Sequence, residues 1–284
     1  MSVAAHRFPA PAKLNLMLRV VGRRNDGYHL LQTIFRFIDH GDDVRISVRT
    51  DEQIRALHAV PGIDPATDLS VRAAVLLKRA AGSALGADIE LVKRLPLGSG
   101  LGGGSSDAAT VLLALNHLWR TGLTRLELQA LALELGADVP VFVYGRSAIG
   151  EGIGELLSPI ALPPAWYVVL TPRVGVETVR VFTHPDLKRE SKTIKIQGFS
   201  AADVVKHAAN DLEPLVCRLY PEVARHLEWL GRHASARMTG SGAAVFASFD
   251  TEAAARAVFA QLPPTMSGFV ARGLDRHPLR DLAV

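Results

Sequence analysis

A glycine-rich segment between a predicted strand and a predicted buried helix constrains this chain more than any other feature. Residues 96–106 read PLGSGLGGGSS, with five glycines among the seven positions 98–104. Glycine permits positive φ angles, and its missing side chain lets backbone N–H groups approach an anion closely. The helix behind the segment adds unpaired N–H donors and the positive end of its dipole. The segment therefore predicts a phosphate-binding loop.

The first half of the chain mixes strand and helix patterns, which predicts an α+β class. Apolar patterns predict strands at residues 12–21, 44–48 and 87–92. Helices are predicted from an Asp68 cap through residue 81, at residues 105–119, and at residues 124–135. Thr124 and Glu127 have the spacing of a capping box at the start of the last of these helices.

Prolines at positions 159, 163 and 164 interrupt this pattern and predict a domain boundary. The boundary divides the chain into a first domain of residues 1–163 and a second of residues 164–284. In the second, the pattern predicts strands at residues 166–170, 243–249 and 268–272 and helices at residues 212–231 and 251–261.

The composition is that of an ordinary globular protein, with 48% hydrophobic and 21% charged residues. The single cysteine, Cys217, rules out an internal disulfide and fits a reducing compartment. No targeting segment and no apolar run of the roughly 18 to 20 residues needed for a membrane span is evident. These features predict a cytoplasmic protein with no membrane partner. The net charge of +4 is mild, and the basic residues 188–195 predict a solvated loop, not a nucleic-acid-binding patch.

The glycine-rich segment can be compared with three known phosphate-binding motifs: the dinucleotide motif, the P-loop and the protein-kinase loop. The residues of the segment alone do not identify which anion it binds. Gly98, Gly100 and Gly103 satisfy the dinucleotide pattern G-x-G-x-x-G. That pattern also requires an acidic residue about 20 positions on, at the end of a strand, and Glu127 lies in a helical pattern instead. No G-K-[ST] ends the segment as in a P-loop, and the H-R-D and D-F-G sequences of protein kinases are missing.

Three segments together resemble the GHMP family of small-molecule kinases. Residues 96–106 are similar to the family's phosphate loop, residues 11–16 (PAKLNL) to its first motif and residues 238–246 (MTGSGAAVF) to its third. The resemblance implies an N-terminal domain like the second domain of ribosomal protein S5 and a ferredoxin-like C-terminal domain that closes over the active site. It implies ATP binding by Pro96, Leu97, Gly98, Ser99, Gly100, Leu101, Gly102, Gly103, Gly104, Ser105 and Ser106.

Three further segments resemble one branch of this family, and the resemblance covers essentially the whole chain. They are residues 26–33 (DGYHLLQT), 136–142 (GADVPVF) and 210–214 (NDLEP). Members of that branch use ATP to phosphorylate the 2-hydroxyl of a cytidine-linked methylerythritol in non-mevalonate isoprenoid biosynthesis. The resemblance thus implies a small-molecule substrate and a monomer or weak homodimer. The segments at residues 26–33 and 210–214 argue against a mevalonate- or homoserine-type kinase.

The resemblance also changes the roles expected of two charged residues. Taken alone, Asp138 would cap the next turn, and Lys13 would pack its stem while its ammonium reaches water. The resemblance implies instead that Asp138 is the general base and Lys13 its partner, lowering the cost of the developing alkoxide. It implies substrate contacts by Asn15, Tyr28, His29, Thr178, Phe182, Gly240 and Ser241, with Tyr28 and Phe182 on the two faces of cytosine and His29 on its edge.

A magnesium ion is expected because ATP is used as its Mg²⁺ complex. Ser105 or Ser106 could be a ligand of this ion. No carboxylate in the sequence is assignable to it.

Overall fold

A computed structural model describes residues 5–61, 67–194 and 209–283. Its central feature is an antiparallel pair of two long strands, β1 (His6–Arg23) and β2 (His29–Arg49). Both strands are longer than the apolar patterns predict. The polar residues Asp42 and Asp43 stay within β2 because their carboxylates accept hydrogen bonds from the backbone N–H of Arg94 and Leu95 and from the Arg7 guanidinium.

The described residues of the first half add four strands and four helices to this pair. The strands are β3 (Ile54–Ala56), β4 (Gly86–Val92), β5 (Ala148–Glu151) and β6 (Leu156–Pro159), and the helices are α1 (Leu69–Ala81), α2 (Gly103–Leu118), α3 (Arg125–Leu135) and α4 (Val139–Tyr144). The Asp68 cap and the Thr124–Glu127 capping box are confirmed. Helix α2 is buried almost all round, as its apolar sequence predicts, and it contacts α1, α3 and α4.

The second half forms a smaller layer of strands and helices. Its strands are β7 (Trp166–Leu170), β8 (Ala236–Met238), β9 (Val245–Phe249) and β10 (Gly268–Leu274); its helices are α5 (Thr178–Thr183), α6 (Glu213–Leu219), α7 (Pro221–Gly231) and α8 (Glu252–Phe259), followed by a 3₁₀ turn at Arg280–Leu282. The sheet order here is β10-β7-β9-β8, with antiparallel neighbours.

The prediction of one continuous helix over residues 212–231 is wrong, because the structure breaks it into α6 and α7. Tyr220 lies between the two helices with φ −130° and ψ 83°. The next residue is Pro221, which disfavours a helical conformation at the residue before it and opens a new helix at its own position.

Strand β10 joins the two halves. Its last residues pair with Phe37 and Ile38 in the middle of β2, which makes one sheet in the order β3-β4-β2-β10-β7-β9-β8. Near the chain's end, Leu279 and Ala283 return to the apolar core of the first half. The α+β class is confirmed, while the boundary between residues 163 and 164 stays a prediction.

Within the described ranges, none of the helices combines the length and the apolar character needed to cross a lipid bilayer.

Candidate active site

A cleft of about 700 Å³ lies where the β1–β2 pair meets both glycine-rich segments and α5. This volume is within the range of small-molecule sites. The cleft brings together almost every residue that the sequence assigns to the site. Those that line it are Lys13, Asn15, Tyr28, His29, Pro96, Leu97, Gly98, Ser99, Gly100, Gly102, Gly103, Gly104, Ser105, Asp138, Thr178, Phe182, Gly240 and Ser241.

The first glycine loop requires glycine at several positions. Gly98, Gly100 and Gly102 have φ angles of 60°, 75° and 75°, in the region that side chains disfavour. A Cβ on Gly100 would lie 2.2 Å from the carbonyl oxygen of Thr239. Next to this contact, the Ala244 N–H donates to the Ser99 carbonyl at 2.9 Å. The two glycine loops, far apart in sequence, are therefore packed backbone against backbone.

Helix α2 begins directly after this loop without a side-chain cap. Gly102 is its N-cap residue, so the first N–H groups of the helix are not satisfied by a capping side chain. Ser105 lines the cleft, whereas Ser106 is fully buried and donates its hydroxyl to the Pro11 carbonyl at 2.7 Å. Leu101 is also fully buried. Of the two serines, only Ser105 is placed to meet a phosphate or a metal ion.

Lys13 and Asp138 form an ion pair inside the cleft. Their Nζ and Oδ2 atoms are 3.2 Å apart, with the lysine side chain 2% exposed and the aspartate side chain 40% exposed. Lys13 Nζ also donates to Asn15 Oδ1 at 2.5 Å and to the Gly100 carbonyl at 2.9 Å. The ammonium is therefore fixed from three sides, while the carboxylate that it holds remains open to the cleft. Asp138 makes no side-chain capping bond to α4, which excludes the simple capping role.

Asn15 connects the ion pair to the second glycine loop. Its Nδ2 donates to Thr33 Oγ1 at 2.8 Å, and its backbone N–H donates to Thr239 Oγ1 at 2.9 Å. Lys13 and Asn15 face the same side of β1, as alternate residues of a strand do.

The second glycine loop is held over Lys13 by a buried asparagine. Asn210 Nδ2 donates to the carbonyls of Met238 and Gly240 at 2.9 and 2.8 Å. Gly240 has a φ of 57°, and a Cβ there would lie 3.3 Å from Lys13 Nζ. Beside it, the hydroxyls of Ser241 and Thr178 are 2.7 Å apart.

The far end of the cleft carries the aromatic residues. Tyr28 is 58% exposed and is the last residue of the β1–β2 turn, where its carbonyl accepts from the Arg24 N–H. The rings of His29 and Phe182 are 5.1 Å apart between centroids and tilted by 37°. His29 Nε2 accepts a hydrogen bond from Arg189 Nε at 3.0 Å.

Arg189 corrects part of the sequence interpretation of the basic segment. Residues 188–194 form a loop with Lys188 and Lys192 exposed, as predicted, and Lys195 lies outside the described residues. Arg189, however, turns inward to His29 and to the backbone of residues 182–187. A charge run gives no sign of which member points inward, so the sequence could not single out Arg189.

Sequence reasoning also missed a charged cluster beside the phosphate loop. Lys93 lines the cleft and forms ion pairs with Asp42 and with Asp107, the latter at 2.6 Å. Burial raises the pKa of Asp107 to about 7. Burial by itself would lower the pKa of Lys93. The neighbouring carboxylates of Asp107 and Asp42 outweigh this effect, and the pKa is raised. Lys93 Nζ pairs with one oxygen of each carboxylate, while Asp107 Oδ1 is buried without a hydrogen-bond partner among the described residues.

Among the described side chains, no group of three or more His, Cys, Asp or Glu residues is arranged to hold a metal ion.

Comparison with known proteins gives two family matches. The model of the GHMP kinases N terminal domain matches residues 68–146, and that of the GHMP kinases C terminal matches residues 198–267. Between them they include α2, Asp138 and the second glycine loop.

Two similar proteins of nearly the same length bear one name. The chain is 62% identical to a 4-diphosphocytidyl-2-C-methyl-D-erythritol kinase of Thiobacillus denitrificans, over 96% of this chain and 97% of that protein. It is 58% identical to the protein of the same name from Nitrosospira multiformis, over 97% and 93%. A crystal structure of 4-(cytidine 5'-diphospho)-2C-methyl-D-erythritol kinase is 35% identical, with a TM-score of 0.81 and coverage of 94% of this chain and 99% of that one. A mevalonate kinase structure has the same fold, at 14% identity and a TM-score of 0.69 over 95% of this chain and all of that one.

Proposed function

The chain belongs to the GHMP kinase family, and we propose that it transfers the γ-phosphate of ATP to the 2-hydroxyl of 4-diphosphocytidyl-2-C-methyl-D-erythritol, a step of non-mevalonate isoprenoid precursor biosynthesis. The predicted two-domain α+β fold of that family is confirmed. One observation carries the proposal beyond the family: a single cleft joins the glycine loop, the Lys13–Asp138 pair and the aromatic end at Tyr28 and His29. Such a cleft can hold a triphosphate, a reacting hydroxyl and a nucleobase in one line.

The phosphates of ATP are held by the first glycine loop and the start of α2. Backbone N–H groups at an uncapped helix N-terminus favour an anion through direct hydrogen bonds and through the helix dipole. Gly104 and Ser105 lie in this first turn and line the cleft. The loop's close packing on the second glycine loop fixes its shape before ATP arrives, so less order has to be gained on binding.

Asp138 accepts the proton of the attacking hydroxyl, and Lys13 stabilises the charge that develops on the oxygen. The carboxylate is open to the cleft, as a base needs to be, and the ammonium is held rigidly by Asn15 and Gly100. A tertiary hydroxyl is sterically hindered. We therefore assign most of the rate to positioning and charge neutralisation, with proton removal a smaller share.

The cytosine base is bound at the aromatic end. Tyr28 and Phe182 cover its two faces, and His29 pairs with its edge; Thr178, Gly240 and Ser241 contact the remainder of the substrate near the ion pair. The exposure of Tyr28 suits a ring that gains its stacking partner only when the base is bound.

We propose that the site would take Mg²⁺ as part of the ATP complex, with the Ser105 hydroxyl as its protein ligand. Mg²⁺ typically keeps several waters and is bound through substrate phosphates with few protein ligands, so it does not need a cluster of carboxylates. The Ser105 hydroxyl is an oxygen ligand at the phosphate-loop end of the cleft. When bound, the ion would neutralise part of the charge of the triphosphate.

We further propose a cytoplasmic enzyme, monomeric or weakly dimeric, with its domains at residues 1–163 and 164–284. Its single cysteine leaves no partner for an internal disulfide, which supports a reducing compartment.

The test is an ATP-consumption assay of the purified chain with several alcohols. We expect turnover with the cytidine-linked methylerythritol and little with mevalonate or homoserine. A preference for mevalonate or homoserine would overturn the substrate assignment but leave the family standing.

A further inference from the structure

All three nitrogens of the Arg189 guanidinium donate hydrogen bonds within the protein. Nε donates to His29 Nε2 at 3.0 Å. Nη2 donates to the carbonyls of Phe182 and His184 at 3.1 and 2.7 Å. Nη1 donates to the carbonyls of Leu187 and Pro185 at 3.0 and 3.5 Å. Because an arginine has five N–H groups and no acceptor, its orientation toward His29 is set from the other side by the backbone.

This contact decides which nitrogen of His29 carries the proton. A guanidinium can only donate, so Nε2 has to present its lone pair to Arg189. A neutral imidazole whose Nε2 is an acceptor has its hydrogen on Nδ1. Among the described residues, no group bonds to Nδ1. The ring lines the cleft, and Nδ1 is its remaining polar atom.

The surrounding charges keep the ring neutral as well as oriented. Burial lowers the pKa of His29, and the positive charges of Arg189, from the loop, and Arg23, from the end of β1, lower it further. The third neighbour is the uncharged ring of Phe182 on α5. At neutral pH, His29 therefore offers one donor, Nδ1–H, to a ligand in the cleft.

We propose that Arg189 is a specificity-determining positioning residue, which acts by locking His29 in the Nδ1–H form so that the site accepts cytosine and rejects uracil. This inference rests on the proposed function and deepens it. Arg189 reaches neither the phosphate loop nor the ion pair; it acts through His29.

The rejection follows from the hydrogen-bonding pattern of the two bases. Cytosine N3 is an acceptor and pairs with the Nδ1–H donor, whereas uracil carries a hydrogen on N3 and meets it donor to donor. A free histidine could avoid this clash by moving its proton to Nε2, which would turn Nδ1 into an acceptor. Arg189 forbids that move, since Nε2–H would then face the guanidinium N–H.

Arg189 also holds the backbone that carries Phe182, so a merely structural role has to be separated from the proposed one. Arg189→Lys keeps a donor-only cation. Arg189→Gln supplies an amide oxygen that can accept from Nε2–H, which releases both neutral forms of the ring. Arg218 provides the matched control: it is an exposed arginine paired with Asp186 of the same loop, and Arg218→Gln should leave selectivity unchanged.

The first experiment reads the ring directly, with no substrate and no turnover. In long-range ¹H–¹⁵N spectra of ¹⁵N-histidine-labelled protein, His29→Ala identifies the His29 signals among the ten histidines. We expect Nδ1 protonated and Nε2 bare between about pH 6 and 8 in the wild type. In Arg189→Gln, we expect a mixture of both neutral forms and a higher titration midpoint. Nε2–H, or an imidazolium at pH 7, in the wild type would overturn the inference.

The second experiment measures kcat/KM for the cytidine substrate and its uridine analogue. Arg189→Gln should lower the cytidine-to-uridine ratio by about 10- to 100-fold, the cost of one unpaired buried group, while the loss of its backbone contacts raises KM for both substrates alike. Arg189→Lys should keep the ratio and raise KM for both substrates. His29→Ala should erode the ratio, and adding Arg189→Gln to it should change the ratio no further.

Two results contradict the inference. Equal losses on both substrates in Arg189→Gln would mean that Arg189 only supports the loop, and an unchanged ratio in His29→Ala would remove the reader through which it acts. If the wild type phosphorylates neither substrate, the proposed function fails while the spectra still decide whether Arg189 sets the protonation of His29.

Discussion

Asp138→Asn separates the chemistry of the ion pair from its contribution to folding. The substitution keeps the size of the side chain and removes its charge and its basicity. Lys13 loses one of its three contacts, but it keeps Asn15 Oδ1 at 2.5 Å and the Gly100 carbonyl at 2.9 Å. The ammonium therefore stays in place, and a fall in rate reports on the carboxylate itself.

The two expected magnitudes differ widely. Loss of a general base lowers kcat by roughly 10²- to 10⁴-fold. The side chain of Asp138 is 40% exposed, and ion pairs in contact with water contribute only about 0–1 kcal/mol, so stability should change by less than about 1 kcal/mol. Lys13→Met removes the same pair, but it also leaves the Gly100 carbonyl without its donor and Asn15 Oδ1 with only a long hydrogen bond from Thr239 Oγ1 at 3.5 Å. Each such acceptor costs about 1–3 kcal/mol where it stays buried, so this variant should destabilise the fold clearly more.

Steady-state kinetics at saturating Mg²⁺-ATP, with thermal unfolding on the same preparations, measure both quantities. Asp281→Asn, which alters an exposed carboxylate paired with Arg276, is the control and should leave kcat unchanged. The Lys13→Met, Asp138→Asn double variant should lose much less activity than the two single effects combined, because the residues act as a unit. Near-full turnover by Asp138→Asn would remove this residue from the mechanism, and strict additivity in the cycle would contradict the pairing.

Three further variants test the loops and a buried histidine. Gly104→Val places a side chain in the cleft. A Cβ at this position would lie 3.8 Å from its nearest neighbouring atom, so the protein should still fold. Calorimetry should show at least about tenfold weaker ATP binding, and unchanged affinity would place the phosphates elsewhere. Asn210→Ala removes the side-chain donor to the carbonyls of Met238 and Gly240. Denaturant unfolding should show a free energy of unfolding lower by about 2–4 kcal/mol, and KM for the cytidine substrate should rise. Unaltered stability would refute the role of Asn210 in holding the loop. Burial lowers the pKa of His277 to about 3, below its value in the unfolded chain. The unfolded chain therefore binds this proton at a higher pH than the folded protein does. As pH drops from about 6.5 towards 3, the free energy of unfolding should fall by up to roughly 1.4 kcal/mol per pH unit. His277→Asn should flatten that dependence, and an equally steep slope in this variant would assign it to other groups.

Local patterns in the sequence were sufficient for the elements that carry the phosphate loop. Helix α2 is apolar on every side, and its burial follows from that. Pro221 in the sequence indicates a break in the helix before it. The apolar spacing, however, continues across Pro221 and suggests one helix. The polar residues Asp42 and Asp43 hide the full length of β2, because the groups that satisfy them lie about fifty residues further along the chain or on the neighbouring strand.

The parts of the site that could not be predicted are those made by distant segments. Lys13 and Asp138 were assigned only through family resemblance, since nothing local distinguishes a buried lysine from one whose stem packs on a strand. Arg189 and Lys93 carry no motif at all. Their inward orientation depends on partners in other elements, His29 and Asp107, which only the folded chain brings within hydrogen-bond distance.

The most direct test of the central claim is the position of the new phosphate, read by ³¹P NMR of the product formed from ATP and 4-diphosphocytidyl-2-C-methyl-D-erythritol. Carbon 2 of the methylerythritol carries a methyl group and no hydrogen, so a phosphate on its hydroxyl has no H–C–O–P coupling. We expect a new phosphomonoester resonance without that splitting, formed by the wild type and nearly lost in Asp138→Asn. A resonance split by a carbinol hydrogen, or release of inorganic phosphate alone, would contradict it.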